Sequence, residues 1–124
     1  MLEATCHCGA VGIEVEAPPA RLTECNCSVC GRLGALWAYY TNAQARVVRG
    51  QTVVYSWGDK NIAFHHCPIC ACTTHYTGLG PEALDRLAVN ARLLPLAEPV
   101  PVRRFDGRDS WTALEHDGRW PWPG

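Results

Sequence analysis

The chain has 124 residues, 48% of them apolar and 19% charged, with a formal net charge of −1. That composition excludes a disordered chain, and its scattered basic residues exclude the electrostatic footprint of a nucleic-acid binder. No run approaches the roughly 18 apolar residues of a membrane helix. MLEATCHCGA has an acidic residue where a signal peptide needs an apolar stretch, so a cytoplasmic protein with no membrane partner is expected.

Gly and Pro punctuate the chain often, and the apolar runs between them are short, which predicts a mainly β fold of short strands with little helix. In chain order, strands are expected over Ala10–Glu16, Ala35–Thr41, Ala45–Val48, Thr52–Trp57, Asn61–His66, Thr73–Tyr76 and Leu87–Leu93. In the first of these, Val11, Ile13 and Val15 share one face, and Glu14 and Glu16 the other. Ser28–Leu33 suits one helical turn. Pro81–Leu87 suits one or two, with Pro81 at a permitted first position. From about Leu94, Pro95, Pro99, Pro101, Pro121 and Pro123 predict an extended tail that wraps onto a single domain spanning 1–124. Trp111, Trp120 and Trp122 either pin that tail to the sheet or wall a pocket, and an exposed tryptophan-rich tail suits packing on a second copy as a homodimer.

All eight cysteines fall into three clusters: Cys6-His-Cys-Gly, Cys25-Asn-Cys-Ser-Val-Cys30 and Cys67-Pro-Ile-Cys-Ala-Cys72. In C-x-C on an extended segment both thiols face the same way, and in C-x-x-C a turn converges two sulfurs on one ion. In a reducing compartment this grouping points to a soft metal rather than disulfides, with zinc the default. Gly9 and Gly31 follow their clusters, where glycine permits a tight turn.

The most economical pairing joins Cys6 and Cys8 with Cys67 and Cys70 in a closed, structural four-thiolate site. Cys25, Cys27 and Cys30 then form a second site with three thiolates and an open fourth position, the pattern of catalytic zinc. Cys72, His7, His65, His66 or His75 are the alternatives that would close this second site.

CHCGAV, CNCSVC, HHCPIC followed by CTTHY, AVNARLL and RFDGRDSW together resemble the glutathione-dependent formaldehyde-activating family, also named after centromere protein V. The resemblance implies a β-tent-like fold of small antiparallel sheets stapled by two zinc ions per chain. It gives the structural zinc Cys6, Cys8, Cys67 and Cys70, and the second zinc Cys25, Cys27 and Cys30 with an exogenous fourth ligand. It also implies a carbon–sulfur lyase that joins a glutathione-like thiol to a formaldehyde-like aldehyde as an S-hydroxymethyl adduct. The third cluster departs from the family pattern, because Ala71 stands where glycine usually follows the last cysteine, so a slightly different turn is expected.

On this reading the catalytic trio is Cys25, Cys27 and Cys30, with His66, His75 or Asp109 as possible proton donors and Arg32, Arg92 or Arg103 as possible partners of substrate carboxylates. The alternatives are a non-catalytic zinc-stabilised binding module, or a redox or metal-buffering role for exposed thiolates.

Overall fold

The computed structural model describes residues 1–58, 60–81, 84–115 and 118–121. In chain order the elements are β1 (Leu2–Thr5), β2 (Gly12–Val15), β3 (Leu22–Cys25), α1 (Ser28–Leu33), β4 (Trp37–Tyr40), β5 (Ala45–Arg49), β6 (Val53–Tyr55) and β7 (Ile62–His66). They continue with β8 (Thr73–Gly78), β9 (Leu87–Asn90), a 3-10 turn (Ala91–Leu93), β10 (Val100–Phe105), β11 (Ala113–Leu114) and β12 (Arg119–Trp120). The fold is mainly β, as expected. No helix among the described residues is long and apolar enough to cross a membrane.

The strands form two sheets. A small one has the order β1-β2-β5, and a large one runs β11-β10-β3-β4-β9-β8-β7-β6, with β12 also paired to β10. Pairing is antiparallel throughout except between β10 and β3, which run parallel with Arg103 opposite Thr23 and Phe105 opposite Cys25. The proline-bearing tail therefore does more than wrap: β10 is an internal strand of the large sheet. Its Pro101 is exposed and lies opposite Arg119 of β12.

Alternation decides which side of the large sheet each residue serves. Leu22, Ala38, Tyr40, Leu87, Val89, Val100 and Val102 point to one face, where they meet Ala4, Ile13, Val15 and Ala45 of the small sheet in the main apolar core. The other face carries Trp37, Phe64, Tyr76 and Ala88, which α1 covers with Cys30, Val29 and Leu33. Because both faces are covered, β9 is buried at all four positions and shows no polar alternation.

Asn90 ends β9 and ties three segments together. Its side-chain oxygen accepts from the backbone N–H of Leu36 (3.4 Å) and Arg92 (3.2 Å), and its amide donates to the Thr73 carbonyl (2.8 Å). That cap turns 91–93 into a 3-10 turn, so the strand expected to reach Leu93 stops at Asn90. The helical turn expected over Pro81–Leu87 is absent from its described residues, which form turns at 81 and 84–85 and enter β9 at Leu87. Residues 82 and 83 of that segment, and Trp122 and Pro123, lie outside the described residues.

Candidate functional site

The first cysteine group forms where two turns meet. The turn after β1 is closed by Cys6 N–H donating to Val11 O (3.1 Å), and the turn after β7 by Cys67 N–H donating to Cys72 O (3.0 Å). These turns bring the sulfurs of Cys6, Cys8, Cys67 and Cys70 within 4.8 Å of one another. Cys6 and Cys8 Sγ are 3.7 Å apart, and Cys8 and Cys67 Sγ 3.6 Å. Four thiolates about 2.3 Å from a tetrahedral zinc would stand about 3.8 Å apart, so the set fits that ion.

Backbone N–H groups also aim at the sulfurs, Val11 at Cys6 (3.3 Å) and Ile69 at Cys67 (3.4 Å). The backbone N–H groups of Cys72 and Cys8 hold the Cys70 thiol down at about 5. At Cys8 the Ala10 N–H favours the thiolate, but desolvation and the neighbouring sulfurs push the thiol up to about 11. Four sulfurs this close cannot all ionise together without a cation among them.

Ala71 adopts φ 65°, the left-handed turn normally given to glycine, and Gly9 occupies the matching position after Cys8 with φ 82°. The altered turn expected from alanine does not occur: the closing bonds hold Ala71 in glycine's conformation, with its N–H donating to Cys67 O (2.9 Å). Cys72 packs in this same region with Cys6, Val11 and Cys67, away from the second group.

That second group, Cys25, Cys27 and Cys30, also has all its sulfurs within 4.8 Å of one another, and no further Cys, His, Asp or Glu among the described residues joins it. Cys25 ends β3. Cys27 caps α1, its sulfur accepting from Cys30 N–H (3.3 Å), and Cys30 lies inside the helix. Gly34 ends the helix at φ 66°. Gly31 is helical rather than a tight turn, and a side chain there would only graze Asn26 O at 3.7 Å.

Burial works against ionisation at the trio. At Cys27 the N–H of Cys30 and the adjacent thiols outweigh it, so that thiol is lowered. Burial pushes the Cys30 thiol up, while the Trp37 indole opposes it. Trp37 is only 1% exposed, and its Nε1–H has no hydrogen-bond partner of ordinary geometry. The donor faces the Cys30 sulfur and is held ready for a thiolate there.

A loop from the tail closes over the trio. Asn26 N–H donates to Phe105 O (3.3 Å), Asn26 Nδ2 donates to Asp106 Oδ1 (3.1 Å), and Arg108 N–H donates to Asn26 Oδ1 (3.0 Å). Asp106 also accepts from Asp109 N–H, Ser110 N–H and Ser110 Oγ. The Ser110 N–H first, then the Asn26 amide, hold the Asp106 carboxyl down at about 2.

The loop puts Gly107 against the sulfurs. A Cβ there would lie 2.6 Å from Cys25 Sγ and 3.4 Å from both Cys27 Cβ and a Trp111 ring carbon. Trp111 does not pin the tail. It is 69% exposed and stands at the rim of the site, edge-on to Phe105 at 5.1 Å. Trp120 is partly buried against the main core, with the Arg92 guanidinium 4.6 Å above its ring. Sequence reasoning missed Asn26 and Gly107. Their signal was position: the residue between two clustered cysteines, and a glycine inside FDGRDS.

The other sequence candidates divide. His75 is buried, stacked 4.0 Å from His65, and bonded to Thr74 Oγ1 (2.8 Å). Burial, then His65, lower its pKa to about 3, so it is a neutral core group rather than a proton donor. His65 is held between Thr52 Oγ1 (2.7 Å) and Thr77 Oγ1 (3.0 Å). His66 lies in β7, and Asp109 is a residue of the loop turn. Neither His66 nor Asp109 joins the trio. Arg32 donates to Ser28 O and Arg92 to Gly34 O, both serving α1. Arg103 lies on the face that carries Cys25, where Nη2 donates to Thr23 Oγ1 (3.2 Å).

The fold and site define a small β protein with one four-thiol group and one three-thiol group, each able to hold a metal ion. The family model described as glutathione-dependent formaldehyde-activating enzyme matches residues 1–94, and the chain belongs to this family. A crystal structure of a Rhodobacter sphaeroides protein is similar, with 34% identity and a TM-score of 0.69 over 81% of this chain and 98% of that one. No curated protein matches the chain.

Proposed function

We propose that the chain joins a thiol to an aldehyde at the Cys25, Cys27 and Cys30 site, the cytoplasmic carbon–sulfur lyase chemistry of forming or cleaving an S-hydroxymethyl adduct. The carrying observation is the convergence of three thiols with no fourth protein donor among the described residues. Cys6, Cys8, Cys67 and Cys70 would hold one zinc ion as a closed structural site. Cys25, Cys27 and Cys30 would hold a second, leaving one of its four tetrahedral positions to substrate. When bound there, zinc would deprotonate an incoming thiol and keep its sulfur in place.

The chain's own residues supply the rest. Cys27 and Cys30 are fixed by the first turn of α1, and Cys25 by its parallel pairing to Phe105. Trp37, whose buried Nε1–H is otherwise unpartnered, packs with Cys30 and favours the thiolate form there. Gly107, having no side chain, leaves the sulfurs uncovered beneath the loop. In the bond-forming direction the substrate sulfur's electron pair attacks the carbonyl carbon and the C=O π pair moves to oxygen. The proton lost by the thiol ends on that oxygen, so no oxidant or reductant enters.

The test is metal content and thiol binding on the full chain. Wild type should carry two zinc ions and Cys25→Ser one. Cobalt-substituted protein should change its spectrum on titration with one thiol per chain. A cobalt spectrum that ignores thiols defeats this reading and leaves a zinc-stabilised binding module.

A further inference from the structure

The two sheets treat their outer strands differently. In the small sheet β1 carries Glu3, and β5 carries Arg46 and Arg49. Charge on an outer strand keeps its unpaired backbone from recruiting another strand. In the large sheet β6 is the last strand, paired with β7 alone. From Gln51 to Gly58 the sequence reads QTVVYSWG, with no charged residue and no proline. Among the described residues no strand covers the outer edge of β6. Nor does any backbone bond beyond the β6–β7 ladder involve Val53, Val54 or Tyr55.

The side chains leave the same edge open. Tyr55 stands opposite Phe64 on the face that α1 covers, and Val53 shares that face. Val54 points to the other face, opposite His65. Val53, Val54, Tyr55 and Trp57 are between 45% and 56% exposed. Together they present roughly 400 Å² of apolar surface, the size of patch that on a monomer usually has a use. Tyr55 and Trp57 also wall an open groove of about 290 Å³, whose other side is Ser28, Val29, Arg32 and Leu33 of α1.

The occupant this edge fits is a second copy. Antiparallel pairing of β6 with itself, about a two-fold axis at Val54, sets Val54 against Val54 and Val53 against Tyr55 on both sides of the axis. Every pair across the seam is then apolar, and aromatic against β-branched is a favourable cross-strand match. Two copies meeting there would cover roughly 800 Å² through the four exposed side chains. The strand backbone with Gln51 and Thr52 brings this to roughly the 1,000 Å² that a specific interface needs.

We infer that β6 is a dimerisation edge, through which two copies of the chain pair at Val53, Val54 and Tyr55 to make one continuous sheet. The partner's Val53 then stands beside Tyr55 at the mouth of the groove, along the helix that carries Cys27 and Cys30. With three residues in the strand, the dissociation constant should be roughly micromolar. This assembly is independent of the chemistry at the sulfurs.

Sedimentation equilibrium of the zinc-loaded full chain, from low micromolar to submillimolar concentration, should show wild type passing from monomer to dimer. Val54→Lys puts a charge at the seam and should weaken association at least about tenfold, with the melting temperature of the dilute protein unchanged. Val47→Lys, an equally exposed valine on β5, should leave association unchanged. Register is read by air oxidation with wild type as baseline. Val54→Cys should cross-link two copies, because a residue on the axis faces itself within disulfide reach, and Val53→Cys should not, because it faces Tyr55. A wild type that stays monomeric at every concentration overturns the inference. So does a dimer that survives Val54→Lys, which would place the contact on another surface. Cross-linking of Val53→Cys as readily as Val54→Cys overturns the pairing about Val54.

Discussion

The two cysteine groups use the same ligand type for opposite ends. The four-thiol group is assembled from the turn after β1 and the turn after β7, in two different sheets, and its Cys6 and Cys67 are 3% and 0% exposed. The trio lies within six residues at one strand–helix junction, and the remote chain over it is a loop rather than another ligand. Metal in the first group would crosslink distant chain. In the second it would leave topology unchanged. Closure across sequence makes a staple, and closure within a local turn makes a platform.

The largest expected effect separates these roles. Cys67→Ala should abolish cooperative folding, a loss comparable with the whole of the about 5–15 kcal/mol a small domain holds. Cys25→Ala should stay folded and lose one metal ion. Chemical denaturation followed by circular dichroism, with metal counted by mass spectrometry, reads both, and equal unfolding of the two variants breaks the contrast.

Next is Gly107→Ala, which sharpens the view of the trio as a platform covered from a distance. Its Cβ would come 2.6 Å from Cys25 Sγ, so the loop or the sulfur must shift. Metal should leave the trio roughly 10–100-fold more readily to a chelator, with the four-thiol group and the melting temperature nearly unchanged. Retention equal to wild type would show that the loop does not position the sulfurs.

How much of this arrangement the sequence disclosed depends on the kind of interaction. Ligand spacing is local chemistry, so CHC, CNCSVC and CPIC were legible as metal-competent turns. So was α1, whose cap is one of those cysteines. Strand β3 was not, because Leu22 and Thr23 are both buried, one on each covered face, and alternation vanishes. Strand β10 was hidden by Pro99 and Pro101; its Val100 and Val102 take the core side, which only the parallel partner β3 reveals. The Gly107 contact with Cys25 and the Arg103–Thr23 bond join residues some 80 positions apart, and no local pattern encodes them.

Acid tests whether the fold's pH sensitivity belongs to the clusters alone. The His75 pKa falls to about 3 on folding, from an ordinary 6.5, first through burial and then through His65. The unfolded chain therefore takes the proton first. Stability from this group is fully present above about pH 6.5 and declines as pH falls toward 3, by up to about 1.4 kcal/mol per pH unit. His75→Phe should flatten that part of the slope in denaturation curves at pH 7.5, 6 and 5. An unchanged slope would assign acid sensitivity to the thiolates and carboxylates instead.

The smallest effect lies within the four-thiol group, whose two turns differ at one matched position. Gly9 holds φ 82° and Ala71 φ 65°. No atom would lie within 4 Å of a Cβ added at Gly9, so Gly9→Ala tests backbone conformation alone. It should cost about 1–2 kcal/mol. Ala71→Gly relieves a similar strain but gives the unfolded chain more freedom, worth about 0.4–1 kcal/mol, so a net gain of up to about 1 kcal/mol is expected. Melting temperatures should move in opposite directions in the two variants. If Gly9→Ala is as well tolerated as the native Ala71, sulfur convergence rather than backbone preference is what sets these turns.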